Sequence, residues 1–425
     1  MASIAFFLDL SRFSDTLKTA QLEYGNPGIG GTPYLFLLTV KYLNKQFGQD
    51  YAIMLSDSEF EIKDPEVVCA SVNDEAGALF YCKEHGIDIL VLNANIADRL
   101  PAEFYNTEIR IVLWAHNTVN SKAEKIAARQ KAIFKIVCVS QQQYENMRDT
   151  ICFNKCTYIN NVLPKFFIDN AVLSNYGERK AVYVGSIMPQ KGAHNLLNIW
   201  KWVEKETPDA ELYIFGGAKV WNPALENGCL GIGDVFYDSV LNRALHKLKK
   251  PENVHFMGAK GWKEIEQEIK TFRVGVVNPS HYLRDETFCM SAIELAAHGI
   301  PVVSRDRNDG LLSTVKHNST GFLEKTDKQI AKRIAELLAS SDLCGEYGRR
   351  AAAFSKNFVV ENEIHKWKEL EENKHEVIST ANVGKRISGD AWRLWHDKML
   401  KIAYTVTSGK AFYLIRKKLK NKEKR

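Results

Sequence analysis

Long apolar runs are missing from this 425-residue chain. The apolar stretch at its start, residues 4–8, stops at Asp9, which is too short for a membrane span or a secretory signal. The eight cysteines are scattered, and the closest pair, Cys152 and Cys156, lacks the partners that a zinc site needs. Without an export signal or paired spacing, reduced thiols in the cytoplasm are the expectation. No Asp-x-Asp tripeptide stands at a strand end, so neither a metal nor another cofactor is expected. Charge of one sign is also scarce in net terms. The 57 basic residues exceed the 51 acidic ones by only +6, and most of that surplus follows Lys410. A single terminal basic cluster with no binding motif argues against nucleic acid as a partner.

What the chain does contain is the composition of a globular protein, 45% hydrophobic and 25% charged, long enough for two domains. Short apolar strands at 4–8, 53–55, 67–70, 87–92, 109–114 and 134–139 alternate with helices or loops. This alternation predicts a parallel α/β sheet built from crossover units. A second series at 181–185, 212–217, 254–258, 274–277 and 302–303 repeats it, and helical patterns follow at 327–340, 344–354 and 360–373.

Four features carry chemistry. Gly28, Gly30 and Gly31 lie between the first strand and a helix expected near Tyr34. Glycines there let the backbone approach a ligand, although an ordinary flexible turn has the same composition. The strand at 109–114 runs into His116, at the carboxyl end where open α/β sheets meet ligands; a histidine bonded within the sheet edge is the alternative. Lys191 stands beside Gly192 at the start of a helix, placed to neutralise a diphosphate or else merely to cap the helix in solvent. Residues 278–301 read as strand end, Pro-Ser loop, apolar helix and new strand, with Glu286 and Glu294 eight positions apart. Thr287, Phe288, Cys289 and Met290 enter that helix without side-chain charge, so backbone amides at its start would bind an anion.

Taken whole, the string resembles the Glu-x7-Glu segment of family 4 retaining glycosyltransferases. In that family Pro-Ser precedes the first Glu, and a run like Glu294-Leu295-Ala296-Ala297-His298-Gly299-Ile300-Pro301-Val302-Val303 follows the second. The turn from Gly185 to Gly192 resembles the family's Gly-Arg-x4-Lys-Gly pattern, with Ser186 in place of Arg. Cys289 stands where the family has Gly, and Asn161 replaces the Gly of its Pro-Asn-Gly segment. The resemblance covers roughly residues 1–375. It implies a GT-B fold, two Rossmann-like α/β domains facing each other across a cleft, with a helical C-terminal extension. It also implies that Glu294 holds the nucleotide ribose and that Lys191, with amides near Phe288, holds the diphosphate. Glu286 and His116 would meet the donor sugar, and Gly30 and Gly31 would lie near its phosphates. Ser186, Cys289 and Met290 would complete the donor site, and Lys219 and Arg284 are candidates for the cation missing at position 186.

The expected division is an acceptor domain at 1–170 and a nucleotide-sugar donor domain at 171–358. A helix at 359–376 would cross back to the first domain, ahead of an amphipathic basic tail at 377–425. Aromatics and a Lys/Arg run in the tail suit an anionic membrane surface, against a helical pair packed on the body. The expected function is metal-independent sugar transfer, with retention, from a nucleotide sugar to a glycan or lipid-linked glycan acceptor. Bacterial surface polysaccharide (lipopolysaccharide, O-antigen or capsule) is the setting the family implies, in the cytoplasm or peripheral on the inner membrane face. The rivals are an epimerase or phosphorylase on the same fold, and a non-catalytic membrane-associated partner. The insertion at 220–238 reads as a loop that bears on substrate, with no residue assigned.

Overall fold

The computed structural model describes residues 2–57, 59–219, 225–281 and 286–372. Two parallel sheets organise it. Strands β1 (Ile4–Phe7), β2 (Ala52–Ser56), β3 (Cys69–Ser71), β4 (Ile89–Asn93), β5 (Arg110–Ala115), β6 (Ile133–Cys138) and β7 (Cys156–Tyr158) form the first, in the order β3-β2-β1-β4-β5-β6-β7. Strands β8 (Lys180–Val184), β9 (Glu211–Phe215), β10 (Val254–Gly258), β11 (Val274–Val276), β12 (Val302–Arg305) and β13 (Gly321–Glu324) form the second, in the order β10-β9-β8-β11-β12-β13. Central strands such as β1 are buried along their whole length, because helices cover both faces of each sheet.

In both sheets the strand order reverses beside the first strand, since β1 pairs with β2 and β4, and β8 with β9 and β11. That reversal opens a crevice at the carboxyl ends of the strands. The two crevices face each other. Ser140 Oγ donates to the carbonyl of Thr287 at 2.6 Å, and Thr287 Oγ1 donates to the carbonyl of His116 at 2.7 Å. On another side of the junction, the Trp262 amide donates to the Asn26 carbonyl at 3.0 Å.

Four helices set the site: α1 (Gly31–Phe47), α2 (Ala193–Glu206), α3 (Met290–Ala297) and α4 (His365–Glu372). Helix α1 begins at Gly31, three residues before the position expected from the apolar pattern. The Asn26 side chain accepts from the Gly28 and Ile29 amides, so the glycine loop feeds directly into the first turn. The pattern at 344–354 belongs to a helix that starts earlier, at Ser341, capped by the Ser340 side chain.

The pattern at 360–373 is two short helices, Val360–Glu363 and α4, rather than one. Backbone bonds between Leu163 and residues 358 and 360 bring this segment to the first domain, and Glu363 accepts from the Asn160 amide at 2.9 Å. Trp367 then packs edge-on against Phe6 and Trp114, with ring centroids 5.2 and 4.8 Å away. Burying that indole is worth about 3–5 kcal/mol against alanine, which fixes the return path. The tail residues 377–425, with their membrane expectation, lie outside the described residues.

Candidate active site in the cleft

A cavity of about 1100 Å³ lies between the sheets. Gly30, Gly31, His116, Ser186, Lys191, Glu286, Phe288, Cys289, Met290 and Glu294 all line it, although they come from both halves of the chain. Local backbone geometry explains much of this convergence. Gly192 is left-handed at φ +80°, and a Cβ there would stand 2.6 Å from the Ser280 backbone. Only glycine allows that approach. It seats Lys191 against the loop that leaves β11, where Asn278 turns the chain at φ +41°.

Lys191 Nζ lies 2.9 Å from Glu286 Oε2, and Asn278 Nδ2 donates to the same oxygen. Desolvation in the cleft opposes the ammonium's charge, but the Glu286 carboxylate outweighs it and raises the Lys191 pKa above its ordinary value. The lysine is therefore part of a built ion pair inside the cleft rather than a solvated cap. Glu286, at 8% exposure, is committed to holding it.

Glu294 faces inward from α3 with 3% exposure. Burial raises its carboxyl from 4.5 to about 8, and a bond from Trp262 only partly opposes this. A carboxyl so desolvated is short of hydrogen-bond donors. His116 is also buried, tilted against Trp114 at 4.3 Å and Phe36 at 5.6 Å. Burial lowers it to about 3, so the imidazole is neutral, and its Nε2 has no hydrogen-bond partner among the described residues. Cys289 is buried beside Ser291 Oγ at 3.5 Å and pushed up to about 12 by desolvation, a neutral thiol rather than a nucleophilic thiolate.

Of the two candidates for a second cation, Lys219 is exposed and its stem lies against Gly233 rather than in the cavity. Arg284 lies outside the described residues. The cations that do line the cavity and escaped the sequence reading are Arg12, Arg99, Lys260 and Arg307. Arg307 pairs with buried Asp309 at 2.8 Å, and burial raises that carboxyl to about 6. Nothing local in the sequence marks Arg12, Arg99 or Arg307; the loop after Gly258, which holds Lys260, resembles the nucleotide-base contact of family 4 glycosyltransferases, with no role for the lysine itself. The insertion at 220–238 resolves in part into the cap and first turn of a helix, Val235–Leu245, and residues 220–224 lie outside the described residues. Among the described residues no group of three or more His, Cys, Asp or Glu is arranged to hold a metal ion, and no helix is long and apolar enough to cross a membrane.

Residues 165–354 match the family model described as Glycosyl transferases group 1. An uncharacterized glycosyltransferase of Haemophilus influenzae is 21% identical over 271 residues, 62% of this chain and 70% of its own length. The solved structure of a mutant of S. aureus TarM, in complex with Fondaparinux, alpha-GlcNAc-glycerol and UDP, is similar at 17% identity and a TM-score of 0.55. That likeness covers 70% of this chain but only 58% of TarM, so the chain spans less than two thirds of that protein's length. Anabaena Alr3699/HepE in complex with UDP-glucose is similar at 16% identity and a TM-score of 0.61, over 86% of this chain and 98% of its own. The fold is thus GT-B, and residues 165–354 resemble a group 1 glycosyltransferase domain.

Proposed function

We propose that this protein is a retaining glycosyltransferase of family 4 type that moves a sugar from a nucleotide diphosphate to a glycan or lipid-linked glycan. The observation that carries the reading is the convergence of Lys191, Glu286, Glu294 and His116, contributed by both domains, on one cavity. In this reading the domains divide at 170/171, with the acceptor on the first wall and the nucleotide on the second. Buried Glu294 receives the ribose hydroxyls, whose two donors answer its desolvated carboxyl. Lys191 and the amides at the start of α3 take the diphosphate, where negative charge grows as the glycosidic bond breaks. Neutral His116 offers Nε2 to a hydroxyl of the donor sugar. Glu286 holds Lys191 in place and lies within reach of the same sugar.

With the Glu286 carboxylate engaged by Lys191 and Asn278, the departing phosphate is the base that takes the acceptor proton. The acceptor then attacks the face that the leaving group vacates, which gives retention. In this reading charge neutralisation falls to cations of the cleft, Lys191 among them, and to helix amides rather than to a metal. Structures with UDP and UDP-glucose among the similar proteins support a nucleotide-sugar donor. Bacterial surface polysaccharide synthesis at the inner membrane face is the proposed setting.

Incubation with a panel of nucleotide sugars and glycan acceptors, watching for nucleoside diphosphate release and the anomeric configuration of the product, tests the proposal. Release with an α-linked product from an α-linked donor supports it. An inverted product overturns retention. Nucleotide binding without turnover across the panel favours a non-catalytic role.

A further inference from the structure

We propose that Lys260 is a second catalytic cation, one that binds the diphosphate of the donor and stabilises it as it leaves. This rests on the nucleotide-sugar reading above. A nucleoside diphosphate carries about two to three negative charges, and Lys191 meets it with an ammonium already bonded to Glu286 at 2.9 Å. One shared cation leaves much of that charge unanswered in a cleft from which water is partly excluded.

The other cations of the cavity wall are less well placed: Arg99 belongs, like Arg12, to the first domain's wall, across the cleft from Lys191. The Arg307 side chain is 2% exposed with its Nε 2.8 Å from the Asp309 carboxylate. Arg12 stands on the opposite wall, 3.6 Å from Asp9. Lys260 differs from all three. Its acidic neighbour, Glu268, is 3.6 Å away and its side chain is 42% exposed, a long contact that solvent screens.

Its position is also right. Strands β8, β9 and β10 are hydrogen-bonded neighbours, so the turns at their ends lie side by side, about 5 Å from one to the next. The first of these turns holds Ser186 and the third holds Lys260. The Lys260 ammonium lies 5.6 Å from the ring of Phe215, which ends the strand between them. The ammonium thus lies beside β9, the strand next to the one whose turn holds Ser186. The backbone of Lys260 and Gly261 also meets the glycine loop of the first domain, within 3.8 Å of a Cβ placed on Gly28. Lys260 therefore stands where the two glycine-bearing turns meet, both of which line the cavity.

The test compares binding of nucleoside diphosphates with binding of the matching nucleosides by titration calorimetry, for the wild type, Lys260→Gln and Lys260→Arg. We expect Lys260→Gln to weaken diphosphate binding about tenfold to a hundredfold, leave nucleoside binding unchanged and flatten the salt dependence. Lys260→Arg, which keeps the charge, should stay within a few-fold of wild type. A lower kcat for Lys260→Gln, beyond its effect on KM, would place the contact on the leaving group in the transition state. Equal diphosphate binding by Lys260→Gln and the wild type overturns the proposal while leaving the enzyme reading intact. So does a matching loss of nucleoside binding, which would make Lys260 a base or ribose contact. A wild-type protein that binds no nucleoside diphosphate at all overturns both.

Discussion

Replacing Glu294 by glutamine should move stability and nucleotide binding in opposite directions. Its carboxyl is 3% exposed and burial raises it from 4.5 to about 8. The folded state thus binds a proton that the unfolded chain has released by pH 7. Stability contributed by that proton is complete below 4.5 and declines as pH rises to about 8. At pH 7 the interval of roughly 2.5 units corresponds to about 3 kcal/mol of lost stability. Glutamine has the same shape and no charge to desolvate, so it escapes this loss. Its amide N–H group brings a buried donor that lacks a partner, worth about 1–3 kcal/mol against it.

The net expectation at pH 7 to 8 is a variant as stable as the wild type or up to about 2 kcal/mol more so, a Tm gain of a few degrees. The gain should vanish near pH 4.5. Binding runs the other way. Two ribose hydroxyls donating to an ionised carboxylate are worth about 1.5–3 kcal/mol each, so donor KM should rise at least tenfold per lost bond. The same argument requires wild-type Glu294 to release close to one proton when nucleotide binds at pH 7, because ribose donors favour the charged form. Thermal melts from pH 4.5 to 9 and calorimetry in buffers of different ionisation heat measure both effects. A variant that keeps wild-type nucleotide affinity, or one that binds weakly only because its Tm has dropped, would refute the reasoning.

Lys191→Ala should lower kcat by roughly tenfold to a thousandfold, as charge grows on the diphosphate in the transition state; unchanged turnover would show that another cation holds the phosphates. Transfer should persist in EDTA if lysine and helix amides carry that charge, and abolition restored by Mg²⁺ or Mn²⁺ would show otherwise. Because burial keeps His116 neutral down to about 3, the pH profile between 5 and 8 should contain no step that His116→Ala removes. Gly192→Ala should destabilise the protein by more than about 2 kcal/mol, through a left-handed alanine driven into the Ser280 backbone; a wild-type denaturation midpoint would contradict this. Removing residues 388–425 should release the protein from anionic liposomes at low salt and spare transfer to a soluble acceptor, and equal sedimentation of both forms would dismiss the anchor.

The alternation of strands and helices, the glycine turns and the residues of the cleft were legible in the sequence. These depend on short-range properties: apolar runs that need burial on two faces, glycines at positive φ, and small residues at a helix start. Most of the ten candidate residues from Gly30 to Glu294 could be picked out because they sit near the end of a strand or the start of a helix; Glu286 and Glu294 stood out through the resemblance of the string that holds them. Where the local signal is ambiguous, specific contacts decide. Gly30 and Gly31 look like loop, yet α1 starts there because Asn26 ties down the preceding amides. The pattern at 360–373 looks like one helix, yet the backbone pairing of Leu163 with Val359 and its neighbours sets where it begins, and it divides at Ile364.

The electrostatics came from packing. Lys191 and Glu286 are 95 residues apart, and nothing local says that one will occupy the other. Glu294 is an ordinary glutamate in the sequence; its raised pKa comes from burial in the packed structure, which a bond from Trp262 only partly opposes. In the sequence the loop of Lys260 resembles only a nucleotide-base contact; the parallel pairing of β10, β9 and β8 sets its turn beside that of Gly216 and one strand from that of Ser186. Desolvation and charge pairing depend on distances between elements remote in sequence, so they appear only once the two sheets have packed.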